Sequence, residues 1–578
     1  MKLTISKSKN SEHFYSSHSY IDKNGKSTTR TYRKLGSLKE LQEKLGTDRD
    51  GVIAWCKQQV AEDTRKYKEE NEQVVVSLSP SMRIKKDQQR EFNCGYLFLQ
   101  SIMTSLRLDN TCRNIKNRHD YQYDLKAILD DLVFARVLDP GSKLSSYKYC
   151  QSLLEPPKYE LHDVYRALSV LAQESDYIQS ELYKNSLFLR KRDTSVLYYD
   201  CTNYYFEIEQ ESGDRKYGKS KENRPNPITG MGLFMDTDGI PLAFDLHKGN
   251  MNEQLTLKPL EQKVIRDFGI SHFIFCSDGG LGSSDNKHFN SFGGRSYVVT
   301  QSLKKLKQEI REEALSPKYF RKPGHREYVD ISQLDEDDPE VFNTVYYKEI
   351  PFATSKLPTQ TLIVTYSPKY KAYQEAIRNG QIDRAKNMIS SGGKLKKNRK
   401  NPNDPARFIT KTSTTENGEV ADREYCTLDL DKINEEKMYD GFYAVATDLE
   451  DAPEAIIAIN RRRWQIEECF RIMKTDFEAR PVHLSRDDRI KAHFLTCFMA
   501  LLVYRLLEIK LDKKYTCEQI LSTLRNMKVV ELEGCGYIPA YTRTELTDLL
   551  HEKFDFNTDT QVIKKRKMRS IIKQTKEI

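Results

Sequence analysis

At 578 residues the chain is too long for one compact domain, and three or four modules are expected. Charged residues make up 31% of it and the apolar set 38%, the balance of a soluble globular protein rather than a disordered or membrane-dominated one. The net charge of +9, from 93 basic and 84 acidic side chains, is a mild bias, so grip on a polyanion would depend on a local basic face. Eleven cysteines lie scattered singly from Cys56 to Cys535, with no C-x-x-C pair and no Cys/His cluster at zinc spacing. That pattern excludes a disulfide framework and a zinc module and points to reduced thiols. The start, Met1-Lys2-Leu3-Thr4, lacks an apolar core of signal-peptide length. The most apolar stretch, Phe494 to Val503, is about half of what spans a bilayer. A cytoplasmic location is expected.

Residues 1–80 read as a small α+β unit. Phe14 to Ile21 and Thr28 to Leu35 flank Asn24-Gly25, a tight hairpin turn, and a helical stretch runs from about Ser37 to Glu70. Residues 81–190 are helical, with Leu125, Ile128, Leu129, Leu132 and Leu138 near one face and a stop at Asp139-Pro140-Gly141. Val164, Leu168 and Leu171 repeat the period. Residues 191–303 change texture. Ser195 to Tyr199 is a strand expected to end at Asp200, followed by strands over Gly230–Met235, Leu242–Leu246, Phe273–Cys276 and Tyr297–Thr300. In 304–437, a mainly β insertion, Thr344–Tyr347 and Thr361–Tyr366 read as strands and Tyr373–Met388 as a helix. Residues 438–512 hold a strand, Phe442–Thr447, a long helix from Pro453 to about Phe477, and an apolar helix over Ile490–Leu507. Residues 513–578 read as helical with a basic tail, Lys564 to Lys576.

Three acids stand out by context. Asp200 closes a strand, Asp278 follows one in Phe273-Ile274-Phe275-Cys276-Ser277-Asp278, and Glu467 lies inside a helix. Carboxylates from strand ends and an adjoining helix can converge on hard cations that prefer oxygen. Two such ions serve phosphoryl transfer by activating the attacking oxygen and steadying the leaving one. At about 100° per residue, Glu467 falls roughly 40° from Arg463, Lys474 roughly 20° from it and Asn460 within roughly 60° on its other side. A plain amphipathic helix with an internal Arg-to-Glu pair would look the same.

Asn460-x2-Arg463-x3-Glu467-x6-Lys474 resembles the Y-x2-R-x3-E-x6-K signature of DDE transposases in the insertion-sequence four superfamily. Tyr199-Asp200-Cys201-Thr202-Asn203 resembles the family's first-aspartate strand, and Tyr217 to Pro225 the basic loop after it. Gly249-Asn250-Met251-Asn252-Glu253, Cys276 to Leu281, Asp440-Gly441-Phe442-Tyr443 and Arg489 to His493 resemble later blocks in order. The hairpin ending Tyr32-Arg33-Lys34-Leu35-Gly36 and the run Leu138 to Lys143 resemble the subgroup with an extended amino-terminal region. The resemblance implies a multi-domain α/β protein. Its RNase H-like mixed sheet with flanking helices would be interrupted by the insertion and preceded by α+β and helical regions that bind DNA ends.

It implies catalytic and metal-binding roles for Asp200, Asp278 and Glu467, with two Mg²⁺ ions per site and Mn²⁺ able to substitute. Double-stranded DNA is the implied partner, as terminal inverted repeats and as target, held by a homodimer in a bacterial cell's nucleoid. Arg463, Lys474 and Asn460 are expected at DNA phosphates, with Lys219, Lys221 and Arg224 on the backbone nearby. Asn460 stands where the signature has tyrosine, which removes one phenol. Tyr346, Tyr347 and Phe352 are the candidate rings for a base extruded beside the cut, since Trp55 and Trp464 both lie outside the insertion. Trp464 is expected in the core. Lys394 to Lys400 and the tail are further basic segments. A nuclease that cuts without joining and an inactive DNA-binding regulator are the alternatives.

Overall fold

Short runs of β-branched and aromatic residues, broken by turn formers, set the strands of this chain, and 3.6-residue apolar periods set its helices. The computed structural model describes residues 1–8, 11–21, 26–71, 79–81, 83–357, 359–391, 403–414 and 420–577. The Asn24-Gly25 turn and the Lys394–Lys400 run lie outside the described residues.

Two compact units are present, residues 1–88 with 533–535, and 89–532 with 536–578. In the first, Lys2–Ser8, Ser11–Ile21 and Ser27–Ser37 form an antiparallel sheet. Helices Leu38–Leu45 and Arg49–Asn71 follow, and Phe14, Leu41, Val52 and Cys56 form its buried centre. Ser37 opens the first helix as a capping box with Glu40.

The second unit is built on a sheet of ten strands: β1 (Val196–Tyr205), β2 (Ile228–Met235), β3 (Pro241–Lys248), β4 (Phe273–Ser277), β5 (Arg295–Thr300), β6 (Phe320–Arg321), β7 (Tyr328–Val329), β8 (Tyr346–Pro351), β9 (Thr361–Tyr366) and β10 (Phe442–Thr447). Their order across the sheet is β7-β6-β8-β9-β10-β5-β4-β1-β2-β3. β1, β2 and β3 meander antiparallel, while β4 and β5 run parallel to β1. That five-strand half has the mixed order expected of an RNase H-like core.

Three expectations need correction. β1 does not stop at Asp200 but continues to Tyr205, paired with β2 along its length. Cys201 to Tyr205 are mostly β-forming, and an interior strand with a full-length partner carries one polar residue without ending. The 304–437 stretch is not mainly β. It holds a 23-residue helix, Pro368–Ser390, and its strands β6 to β9 extend the core sheet through β10 instead of forming a sheet of their own. Ile409–Thr414 and Val420–Leu428 make a separate two-stranded ribbon. The 513–578 region is not wholly helical, because Lys528–Leu532 pairs with both Gly536–Pro539 and Glu91–Asn93. Its basic tail is the helix Lys565–Gln574, anchored by buried Met568 and Ile571.

The core is organised around the 24-residue helix Asp487–Lys510, buried from Ala492 to Leu507 and packed on Leu125–Leu138 and Leu161–Gln173. By length and composition this helix could cross a membrane, but 89% of its apolar window is buried inside the protein. It is apolar all round because it is enclosed all round.

Candidate active site

Parallel pairing of β1 and β4 puts Tyr198 opposite Cys276. Asp200 and Asp278 each follow that pair by two residues, Asp200 still within β1 and Asp278 just past the end of β4, and the two carboxyls are near enough for the Asp278 charge to act on Asp200. Each aspartate is aimed by its own backbone. Asp200 Oδ1 accepts from the Cys201 N–H at 2.7 Å, and Asp278 Oδ1 accepts from Gly280 and Leu281 N–H at 3.0 and 3.1 Å. Among the described residues the second oxygen of each accepts no hydrogen bond, so both stay open to a ligand. Burial pushes the Asp200 carboxyl up to about 6, against the pull of Lys221 and with the Asp278 charge adding to the rise.

The helix carrying Glu467 differs from a continuous rod. Pro453–Arg461 ends, Arg462 and Arg463 form a turn, and Trp464–Arg471 resumes before a wider π-turn over Ile472–Asp476. Arg463 and Glu467 still meet across one turn at 3.0 Å. The π-turn shifts Lys474 away from an even 100° progression. The segment is fastened to the sheet where Tyr198 OH donates to Ile459 O at 3.0 Å. The Gly239 turn between β2 and β3 lies against Gln465. Arg463 is the hub. Its guanidinium is largely buried, and that burial opposes the Glu467, Asp200 and Asp278 charges, which together hold it firmly protonated. Glu467 is 57% exposed, so its carboxylate meets solvent on the side away from its pair with Arg463.

Three acids with oxygen donors, two of them aimed by backbone N–H groups and one exposed, suit a hard divalent cation. The donor atoms are not drawn into one tight set: among the described residues, the acidic group with ligand atoms all within 4.8 Å is Asp548, His551 and Asp559. There the Arg543 guanidinium already bonds Asp548 at 2.6 Å and supplies the positive charge.

Around the three acids, Asn460 Nδ2 donates to Tyr443 OH at 3.3 Å, and that hydroxyl lies 2.6 Å from Thr300 Oγ1. A phenol absent from the helix is thus brought in from β10. Lys474 stacks over Tyr204 and meets Glu222 Oε1 at 3.3 Å, and burial pulls its amine down to about 8. Lys219, Lys221 and Arg224 sit in one exposed loop that the buried Asn203 amide fixes to β1. It donates to Lys219 O and accepts from Lys221 N–H, both at 3.1 Å. Lys221 Nζ also donates to Cys201 O, beside Asp200. Arg224 and Arg480 lie on the Tyr205 ring. The structure therefore gathers Asp200, Asp278, Glu467, Arg463, Lys474, Asn460, Lys221 and Arg224 into one neighbourhood, with Lys219 at its edge.

Sequence reasoning missed Tyr443, Asn203, Glu222 and Arg480. Tyr443 and Asn203 sit inside motifs already noticed, where alternation along a strand was the available signal. Of the three candidate rings, Tyr346 and Tyr347 are 3% and 5% exposed and offer no face to a base, while Phe352, just past β8, is half-buried. Trp464 is 57% exposed rather than core, because the break at Arg462-Arg463 turns it outward.

Residues 193–503 match the family described as Transposase DDE domain. No curated protein sequence matches the chain. Among solved structures, the piggyBac transposase synaptic complex with hairpin DNA is similar at a TM-score of 0.34 and 9% identity, covering 84% of this chain and 85% of that one.

Proposed function

Since this chain belongs to the family of the transposase DDE domain, we propose that it cuts DNA at the ends of a mobile element and joins the freed ends to target DNA. The observation that carries this reading is the placement of Asp200, in β1, beside Asp278, at the end of the parallel strand β4, with Glu467 joined to them through Arg463. The signature around Glu467 favours the insertion-sequence four branch, and a homodimer would hold the two element ends.

Asp200, Asp278 and Glu467 would hold divalent cations, Mg²⁺ in the cell, which when bound supply charge to the attacking and leaving oxygens of phosphoryl transfer. Arg463, paired with Glu467 and in the field of both aspartates, would balance part of the acids' charge and hold Glu467 beside the site. Lys221, Arg224, Lys474 and Arg480 offer a cationic border that fits a DNA backbone. The Tyr443 hydroxyl and the Asn460 amide stand at the same border as neutral donors for a phosphate oxygen.

Strand transfer decides between this reading and its rivals. With Mg²⁺ and DNA carrying the inverted repeats that flank the gene, joined products are expected alongside 3′-hydroxyl ends. Cutting without joining indicates a nuclease; binding with neither indicates a regulator.

Glu222 marks where DNA would enter. Its carboxylate bonds Arg480 and pairs with Lys474, filling the place a phosphate would take. Glu222→Gln removes that competitor and is expected to tighten binding to element-end DNA by about tenfold at low salt, with a salt slope steeper by about 0.9. Fluorescence anisotropy across a salt series measures both. Unchanged or weaker binding would remove Glu222 from the DNA path.

A further inference from the structure

Far from the three acids in sequence, helices Tyr96–Ser105 and Leu125–Leu138 and the 155–159 loop wall a cavity of about 610 Å³. Its charge is lopsided: Asp109, Asp124, Asp130, Asp131, Glu155 and Asp163 line it against three lysines. Two of these acids, Asp130 and Asp131, are neighbours on one helix. Asp130 Oδ2 accepts from Lys126, while its Oδ1 is buried with no partner. Asp131 Oδ2 accepts from Tyr159 OH at 2.7 Å. Burial pushes Asp130 up to about 6 and Asp131 up to about 7. Both sit where a nearby cation would strip their protons.

Tyr96 is a second, independent pointer. It is 2% exposed and lines the cavity, and its hydroxyl, in the field of Glu155 and Asp131, has no hydrogen-bond partner. A buried polar group without a partner is a cost that a ligand would relieve. The aromatic faces of Tyr96, Tyr123, Phe134 and Tyr159 share the same wall. Carboxylates combined with aromatic rings favour ammonium groups on a carbon chain. The volume is that of a small-molecule site, whereas one metal ion would leave most of it to water. An ammonium already rests at the rim, where Lys576 Nζ meets Glu155 Oε2 at 2.6 Å.

We propose that this cavity binds an aliphatic diamine or polyamine, with its ammonium groups on Asp130, Asp131 and Glu155 and its methylenes against the rings. The site is separate from the one read as catalytic, and the two stand or fall independently.

The charged and titratable groups facing Asp130 are Lys126, Asp109, Asp124 and Cys112, and those facing Asp131 are Tyr159, Asp130, Glu155, Lys576, Cys150 and Tyr96. An ammonium beside Asp130 and Asp131 favours their ionised forms, so binding releases protons at about pH 6.5 and tightens as pH rises from about 5.5 to about 7.5.

Calorimetry on the full chain without DNA, with putrescine, spermidine and MgCl₂ as separate titrants, tests this. Spermidine is expected to bind with proton release, seen as a heat that varies with buffer ionisation enthalpy. Asp130→Asn and Asp131→Asn should each weaken it at least tenfold, and Lys576→Ala should strengthen it several-fold by removing the internal competitor. Absence of amine binding, equal affinity in all variants, or Mg²⁺ binding with the same variant sensitivity would overturn the proposal. Circular dichroism checks the fold. If the asparagine variants unfold, Lys576→Ala decides alone, and unchanged affinity there rejects the site.

Discussion

Asp200→Asn, Asp278→Asn and Glu467→Gln are each expected to lower metal-dependent cleavage of element-end DNA by about 10³-fold or more, or roughly 4 kcal/mol of transition-state stabilisation. The amide keeps the volume and the backbone hydrogen bonds of the acid, so the fold should survive. In Asp200→Asn and Asp278→Asn the Oδ1 position still accepts from Cys201 or from Gly280 and Leu281, which forces the amide nitrogen into the open position. That position then offers a donor where a cation needs a negative oxygen. Glu467→Gln acts differently. It removes the negative charge paired with Arg463 at 3.0 Å, leaving a largely buried guanidinium balanced only by the two aspartates, where it competes with any cation. DNA binding is expected to persist in all three variants, because the cationic border is untouched. Cleavage measured on labelled end-containing DNA, beside binding measured by anisotropy, separates the two effects. Wild-type cutting by any one of the three would remove that residue from the chemistry.

Arg192→Ala is expected to destabilise the larger unit by about 3–5 kcal/mol, the cost of breaking a buried ion pair from one side. The Arg192 and Asp236 side chains are 1% and 0% exposed. Arg192 bonds Asp236 and also donates to Ser186 Oγ at 2.9 Å and to the carbonyls of Ile240 and Pro241 at 3.2 Å. Asp236 Oδ1 accepts from the Asp238 and Ile240 N–H groups, so the pair fixes the turn between β2 and β3. Without the guanidinium, Asp236 is a buried carboxylate with its charge unmatched. Because Gly239 in that turn abuts Gln465, the Glu467 segment loses a support as well. Thermal and denaturant unfolding should show the loss. The double change Arg192→Met with Asp236→Asn should recover part of it, since the amide removes the unmatched charge and keeps the oxygen that accepts from the turn's N–H groups. A single variant as stable as the original would mean that the turn does not depend on this pair.

The apolar patterns foretold most of the elements. β9 and β10 appear at the bounds read from their residues, and the buried helix Asp487–Lys510 follows from its continuous apolar run. Spacing alone also tied Arg463 to Glu467, because four residues make one turn whether or not the helix continues beyond it. At Trp464 the reading failed on a local helix break, and in the sheet it failed on partners outside the local segment. Asp200 looked like a strand end because an acid interrupts an apolar run, yet β2 pairs on past it to Tyr205. The insertion looked like a β domain of its own, since nothing local says that β9 will find β10 rather than a neighbour.

By itself, then, the sequence determined which residues have the chemistry to hold cations and phosphates, and which helices and strands carry them, because those properties are local. Only the tertiary structure decided that Asp278, at the end of β4, comes beside Asp200 in the parallel strand β1, that Tyr443 reaches the place where the helix has Asn460, and that Glu222 pairs with Lys474. Each of these depends on contacts between residues far apart in the chain, and a one-residue slip in strand register would turn Asp200 or Tyr443 to the opposite face.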